Sequence, residues 1–419
     1  MNMSGMNILP WWMIVVMLLN AAPIRAEEEA QSIPDFELHG FGTLGAVYHN
    51  TPGGVLYRRD ISQATNGAAA GQLSFAQDSM FAVQGTSRLN DQFSTSVQVI
   101  SRLNVYGNFA PQISMAYLKY QSDETFMRFG RMIIETYMNG DSAEVGYANL
   151  LVRQPIIFYP RMVDGLDIET TQPVGEGLVR IKGAAGWATG KLVSAGSAPY
   201  DIGGSKGAGG GVEYSQAGWT GRFALYALTL KNELDVLQPG GELATALASV
   251  PNSVQIFNAL SMKDRRLINK SLAVAYDSGA VQGGAGLSEV STHDWGTERS
   301  LYAFVGYRIE QLTPYVSYSL ERTARRFVST GIPNGLSAQT DALNQGLATS
   351  QANVWLNQSD IGMGVRYDFA RNMALKCQLE RILYQDPQSI VDPGFLTMPA
   401  ETRGYKVMNL FSIALDFVF

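Results

Sequence analysis

The chain has 419 residues, of which only 16% are charged and 43 are glycine, and its formal net charge is −6. Acidic residues outnumber basic ones by 37 to 31, which excludes a general nucleic-acid surface, because that needs a basic footprint. Cys377 is the single cysteine, so no internal disulfide framework can hold the fold.

The first element is an apolar run over residues 8–19, with Trp11, Trp12, Ile14 and Leu18, followed by Ala26 and the acidic Glu27, Glu28 and Glu29. It is too short to cross a bilayer, which takes about 20 residues. It reads as the core of a signal peptide spanning residues 1–26, although residues 1–7 lack the usual Lys or Arg. Residues 27–419 are then expected to leave the cytoplasm as a single domain, with no linker.

From there on the dominant signal is alternation of apolar and polar residues, the period of a β-strand. Phe93, Thr95, Val97 and Val99 alternate with Ser94, Ser96 and Gln98. Ile361, Met363, Val365 and Tyr367 alternate with Gly362, Gly364 and Arg366. The pattern predicts sixteen strands, at 36–48, 71–84, 92–103, 112–121, 125–132, 164–171, 178–188, 207–215, 219–230, 268–277, 281–290, 299–309, 312–324, 359–369, 373–382 and 409–419. The links between them sort by parity. One set is short, as at 122–124, 216–218, 278–280 and 370–372; the other includes 49–70, 133–163, 231–267, 325–358 and 383–408. Two of the long links, over Leu243 to Leu260 and Ala338 to Trp355, have the composition of partly helical loops.

The last element is the most informative. Phe411, Ile413, Leu415, Phe417 and Phe419 share one strand face and end the chain in phenylalanine. Tight turns at one rim, long loops at the other and an even strand number form the pattern of a membrane β-barrel. In hydrocarbon every backbone N–H and C=O needs an internal partner, which only a helix or a closed barrel provides. The second face of each strand carries Arg, Lys, Glu, Gln and Ser, which would be costly in a dry core and fit a watery lumen. About sixteen strands enclose an aqueous channel rather than a filled core. The expected fold is therefore all-β: a transmembrane antiparallel barrel, with Tyr48, Tyr120, Trp187, Trp219 and Tyr367 as candidate interfacial aromatics and Cys377 pointing outward.

The terminal Phe419 resembles the assembly signal of outer-membrane barrels. The stretch Met115–Tyr120, the turn 122–124 and Phe126–Arg131, followed by a long loop at 133–163, resembles the general porins of Gram-negative bacteria. That resemblance implies a passive diffusion channel for small hydrophilic solutes or ions in the outer membrane. It also implies a homotrimer, and contacts with outer-membrane lipid, lipopolysaccharide and the barrel-assembly machinery. It implies further that the third external loop, 133–163, folds inward and narrows the pore. The candidate constriction residues are Arg102, Tyr117, Lys119, Arg128, Arg131, Glu135, Asp141, Glu144, Arg153, Arg366 and Lys376. By strand parity nine bases and nine acids face inward, so charge totals leave selectivity open, and residue depth in the lumen is not legible.

Three other readings stay in view. Loops 231–267 and 325–358 are long enough for an adhesin or receptor. A soluble β-sandwich shares the alternation but not the sorted links. A barrel enzyme has little support: only His39, His49 and His293 are present, with no nucleophile elbow and no metal-spaced cluster. Neither catalysis nor a cofactor is expected.

Overall fold

Sixteen antiparallel strands close into one barrel in a computed structural model of the protein. It describes residues 35–51, 56–64, 66–153, 162–193, 199–248, 250–292, 296–324, 328–352, 357–384, 396–397 and 407–419. The proposed signal peptide lies outside the described residues, as does His293. The wall consists of β1 (Asp35–His49), β2 (Met80–Arg88), β3 (Phe93–Arg102), β4 (Gln112–Gln121), β5 (Thr125–Ile133), β6 (Met162–Val174), β7 (Gly177–Thr189) and β8 (Lys206–Gln216). It continues through β9 (Trp219–Thr229), β10 (Arg266–Asp277), β11 (Val281–Thr292), β12 (Gly296–Tyr307), β13 (Leu312–Ala324), β14 (Asn357–Ala370), β15 (Met373–Tyr384) and β16 (Val407–Val418).

Each strand pairs with its chain neighbours, and β1 pairs with β16 to close the ring. The closure reaches the final residue: Gly40 and Phe419 exchange two backbone hydrogen bonds of 2.9 Å. Closure leaves no free edge, which is what hydrocarbon demands. Alternation does the rest. Leu118, Phe129, Leu166, Ile168, Phe223 and Leu225 point outward and are exposed, while Lys119, Arg128, Asp167 and Arg222 point inward. No helix among the described residues is long and apolar enough to cross a membrane.

The turns at the rim opposite the long loops are tight, and their residues explain why. At 217–218 the two central residues both have positive φ, 50° for Ala217 and 83° for Gly218, as the two-residue hairpin turn with the sheet's own twist requires. A Cβ on Gly218 would lie 2.4 Å from the Asp277 carbonyl oxygen. Gly218→Ala is therefore expected to destabilise the barrel by about 1–2 kcal/mol, read as earlier loss of heat-modifiable gel mobility.

The strand expected at 71–84 is displaced, since β2 runs from Met80 to Arg88. Residues 71–79 keep only an isolated bridge to β1, Val47 and Ser74 exchanging two backbone bonds of 2.8 and 2.9 Å, and the ladder resumes at Met80. The Ser79 hydroxyl accepts from the Gly45 N–H at 3.0 Å, and Asp78 is turned to Arg153. His49, expected in a loop, ends β1 and is buried, bonding the Ala68 carbonyl at 2.9 Å.

The expected helical loops form. Glu242–Leu247, Ser253–Leu260 and Ala338–Ala352 are helices. Leu237, Leu247, Ile256, Leu260 and Leu347 from both loops share one apolar cluster, so the two loops make a joint cap beside the barrel mouth. The segment carrying Tyr57 and Ala68 packs on the inward residues Val47, Ile382, Met408 and Leu410 of β1, β15 and β16.

Candidate functional site in the lumen

The segment after β5 meets the wall almost residue by residue. Glu135 takes Lys182 at 3.1 Å, Arg180 at 3.3 Å and the Arg222 guanidinium. The Thr136 carbonyl accepts from the Ser271 hydroxyl at 2.7 Å, and Tyr137 packs against Tyr302. Glu144 pairs with Arg102 at 2.6 Å. The Gly146 carbonyl accepts from Lys376 at 2.7 Å, and Arg366 donates to the Tyr147 and Asn149 carbonyls at 2.7 and 3.0 Å. Leu150 and Leu151 rest on Tyr315. The Val152 N–H donates to Gln378 at 3.0 Å. Arg153 ends the described part with a fork onto Asp78 at 3.0 and 3.1 Å and further bonds to Glu380 and Ser412.

These wall residues belong to β3, β7, β9, β10 and β12 through β16, all at inward positions. The described part of the segment, residues 134–153, is thus bonded to inward-facing wall residues on opposite sides of the ring. Gly146 makes the closest approach, where a Cβ would sit 2.1 Å from an Asp416 carboxylate oxygen; only glycine fits.

Buried ionic groups line both sides of the lumen. On the β1, β15 and β16 side the ionic groups are sealed. Lys376 is 0% exposed and pairs with Asp416 at 2.9 Å, and Thr43 donates to the same carboxylate at 2.5 Å. On the β4 to β9 side Asp167, Lys182 and Arg222 are buried as well, and Arg180 is the more open member of the cluster. Arg180, with 28% of its side chain exposed, bridges Glu213 at 2.8 Å and Glu169 at 3.6 Å. Arg128 holds Asp167 in a two-pronged pair and lies over the Tyr117 ring at 5.3 Å. The Lys119 ammonium lies over the Phe126 ring at 4.7 Å and has no carboxylate at ion-pair distance among the described residues. The arrangement is a ladder of bases and acids along one wall, faced by the loop.

Of the anticipated constriction residues, Arg102, Tyr117, Lys119, Arg128, Glu135, Glu144 and Arg366 come together around the lumen. Asp141 lies on the loop beside Glu135, crowded by protein although its side chain still reaches water. Three placements correct the expectation. Arg131 shares the outward parity of Met127 and Phe129 and pairs on the outer face with Asp164 at 2.7 Å. Lys376 and Arg153 face inward but are sealed beneath the loop, so they anchor it rather than line a water path. Asp78, Ser271, Tyr315 and Gln378 were not singled out as loop partners. Parity marks inward strand residues, but no sequence signal says which of them meets a loop carbonyl. Pro155, Tyr159 and Arg161 of the expected loop lie outside the described residues.

No family model matches this sequence, and no curated protein does. Solved structures do. The anion-selective porin from Comamonas acidovorans aligns with a TM-score of 0.51 at 12% identity, over 92% of this chain and 100% of that one. The outer membrane channel DcaP of Acinetobacter baumannii aligns with a TM-score of 0.52 at 12% identity, over 94% and 100%. OmpF of Salmonella typhi, in a complex with daunomycin, gives a TM-score of 0.52 at 12% identity, over 92% and 98%. The fold is that of the bacterial outer-membrane porins. It spans the whole described barrel, so the expected sixteen-strand topology stands.

Proposed function

We propose that this protein is an outer-membrane channel for the passive diffusion of small hydrophilic solutes or ions. The observation that carries this reading is the lumen: a polar wall crossed by a loop whose carboxylates oppose wall bases. Rings of fixed charge of this kind screen solutes in pores. The solved porins described above support it at the level of fold. The signal peptide (residues 1–26), a homotrimer, lipopolysaccharide contact and delivery to the assembly machinery through Phe419 belong to the same reading.

Planar-bilayer recording in a salt gradient tests pore activity and ion preference together. Discrete conductance steps are expected, and a larger step after deletion of Tyr137–Leu150. Folded protein that passes no current would refute the channel; unchanged conductance after the deletion would refute the loop as its constriction. No hydrolysis is expected in a lipase assay. The joint cap of loops 231–267 and 325–358 favours one second reading, a receptor or adhesin. Deleting the cap then abolishes whole-cell binding while conductance persists.

A further inference from the structure

The first long loop enters the lumen as well. Tyr57 and Ala68 pack on Val47, Ile382, Met408 and Leu410, inward residues near the long-loop ends of β1, β15 and β16. Residues 56–57, 68–69 and 396–397 make a small three-stranded patch there. The Arg153 guanidinium lies 5.3 Å from the Tyr57 ring. Arg153 itself bonds Glu380 and Ser412, each one inward position nearer the short-turn rim than Ile382 and Leu410. Two residues of strand span about 7 Å, so this loop forms a layer above the one made by residues 134–153.

The next residue reaches the other side of the mouth. Arg58 is fully buried and donates to the Val193 carbonyl at 2.9 Å and to the Gln63 carbonyl at 3.3 Å. The Val193 N–H in turn donates to the Ile61 carbonyl at 2.7 Å. Val193 follows β7, which stands eight places from β15 in the ring of sixteen. Consecutive residues, Tyr57 and Arg58, thus touch parts rooted on opposite sides of the barrel. A third tie, from the Ala64 N–H to the Asn104 carbonyl at 3.0 Å, fixes the crossing to the link between β3 and β4. Surface links ordinarily leave such backbone groups to water, yet both polar groups of Val193 are spent on the first loop. A buried guanidinium is costly unless it is hydrogen-bonded, and its several donors can hold more than one carbonyl.

We propose that residues 56–64 form a strap across the long-loop mouth, a second constriction in series with residues 134–153. Arg58 is its positioning residue: the clasp on Val193 sets how far the mouth opens, and with it the size limit for solutes. The inference rests on the channel reading. Constrictions in series add their resistances, so each layer contributes its own share of the reciprocal conductance.

The test is single-channel recording of the full protein in planar bilayers, with uncharged polyethylene glycols of graded mass as size probes. Arg58→Ala is expected to raise the conductance and to admit larger polymers. Added to the deletion of Tyr137–Leu150, which leaves Arg153 in place, it should lower the reciprocal conductance by as much as it does alone. A cross-link separates position from charge. In a Cys377→Ala background, Ile61→Cys with Val193→Cys should form a disulfide that returns Arg58→Ala to the wild-type size limit, and reduction should release it. This pair carries the test if Arg58→Ala alone misfolds, and heat-modifiable mobility checks folding. Unchanged conductance and polymer exclusion in folded Arg58→Ala, a double variant no different from the deletion alone, or a cysteine pair that fails to cross-link would each overturn the strap. A folded wild type that passes no current would remove the channel reading and the size limit with it; cross-linking then still decides whether the first loop bridges the mouth.

Discussion

Replacing Arg153 by alanine is expected to release the inward loop, raise single-channel conductance and destabilise the barrel by about 3–5 kcal/mol. Arg153 has 7% of its side chain exposed and faces Asp78, of which 1% is exposed, and Glu380, of which 16% is. Removing the guanidinium strands two carboxylates in a sealed region, and an uncompensated buried charge is among the largest single-residue penalties. Burial pulls the guanidinium's pKa down, but Asp78, Glu380 and Tyr57 outweigh it and hold the group well above its ordinary range. It therefore stays charged at every working pH.

The same residue ties together parts far apart in the chain. It lies 5.3 Å over the Tyr57 ring, so the first loop is held by it as well. Arg153→Lys tests the geometry. A lysine keeps the charge but loses the planar fork, so it should restore part of the stability and little of the loop's position. Arg153→Met combined with Asp78→Asn and Glu380→Gln should be markedly more stable than Arg153→Ala alone, because no charge is left unpaired. Conductance and thermal stability that stay at wild-type levels in Arg153→Ala would remove this anchor from the account.

The barrel was legible in the sequence because its physics is periodic. Each of the sixteen strands leaves its own alternation, and the C-terminal run ending in Phe419 names the closing strand. The helical loops were legible from composition. β2 starts later than the alternation predicts because Leu73 and Phe75 flank Ser74, which makes only an isolated bridge to Val47; the Ser79 hydroxyl and the Asp78–Arg153 pair interrupt the run before Met80, and neither has a local signature. The lumen was half legible. Parity places Arg180, Lys182 and Arg222 inside, yet their meeting at Glu135 depends on the path of a loop with no period. Lys376 shows the limit most clearly. Its inward direction can be read from Leu375 and Cys377, but its burial depends on the carbonyls of Gly146 and Leu151, 225 or more residues away in the chain. Arg131 lay one register beyond the parity that Arg128 obeys.

Glu135→Gln is the second substitution with a large expected effect. Burial raises the Glu135 carboxyl, but Lys182, Arg222 and Arg180 overcome that and hold it at about 2, against an ordinary 4.5. The docked loop therefore binds fewer protons than the released loop between those values. Its electrostatic contribution is complete above pH 4.5, fades as acid is added and is gone below about 2. The difference corresponds to roughly 3 kcal/mol. Wild-type conductance contributed by this contact should hold steady from neutral pH down to about 4.5 and rise only below it. The glutamine variant should show the released behaviour already at neutral pH, with a reversal potential shifted towards anions, because Arg180, Lys182 and Arg222 keep their charges. Asp141 adds a separate step at higher pH. Crowding by the surrounding wall, followed by the negative charge of Glu135, raises its carboxyl from 3.8. Acidification therefore neutralises it first, and Asp141→Asn should delete that step while leaving the Glu135 step in place. Identical acid profiles in the wild type and Glu135→Gln would mean that this carboxylate does not hold the loop.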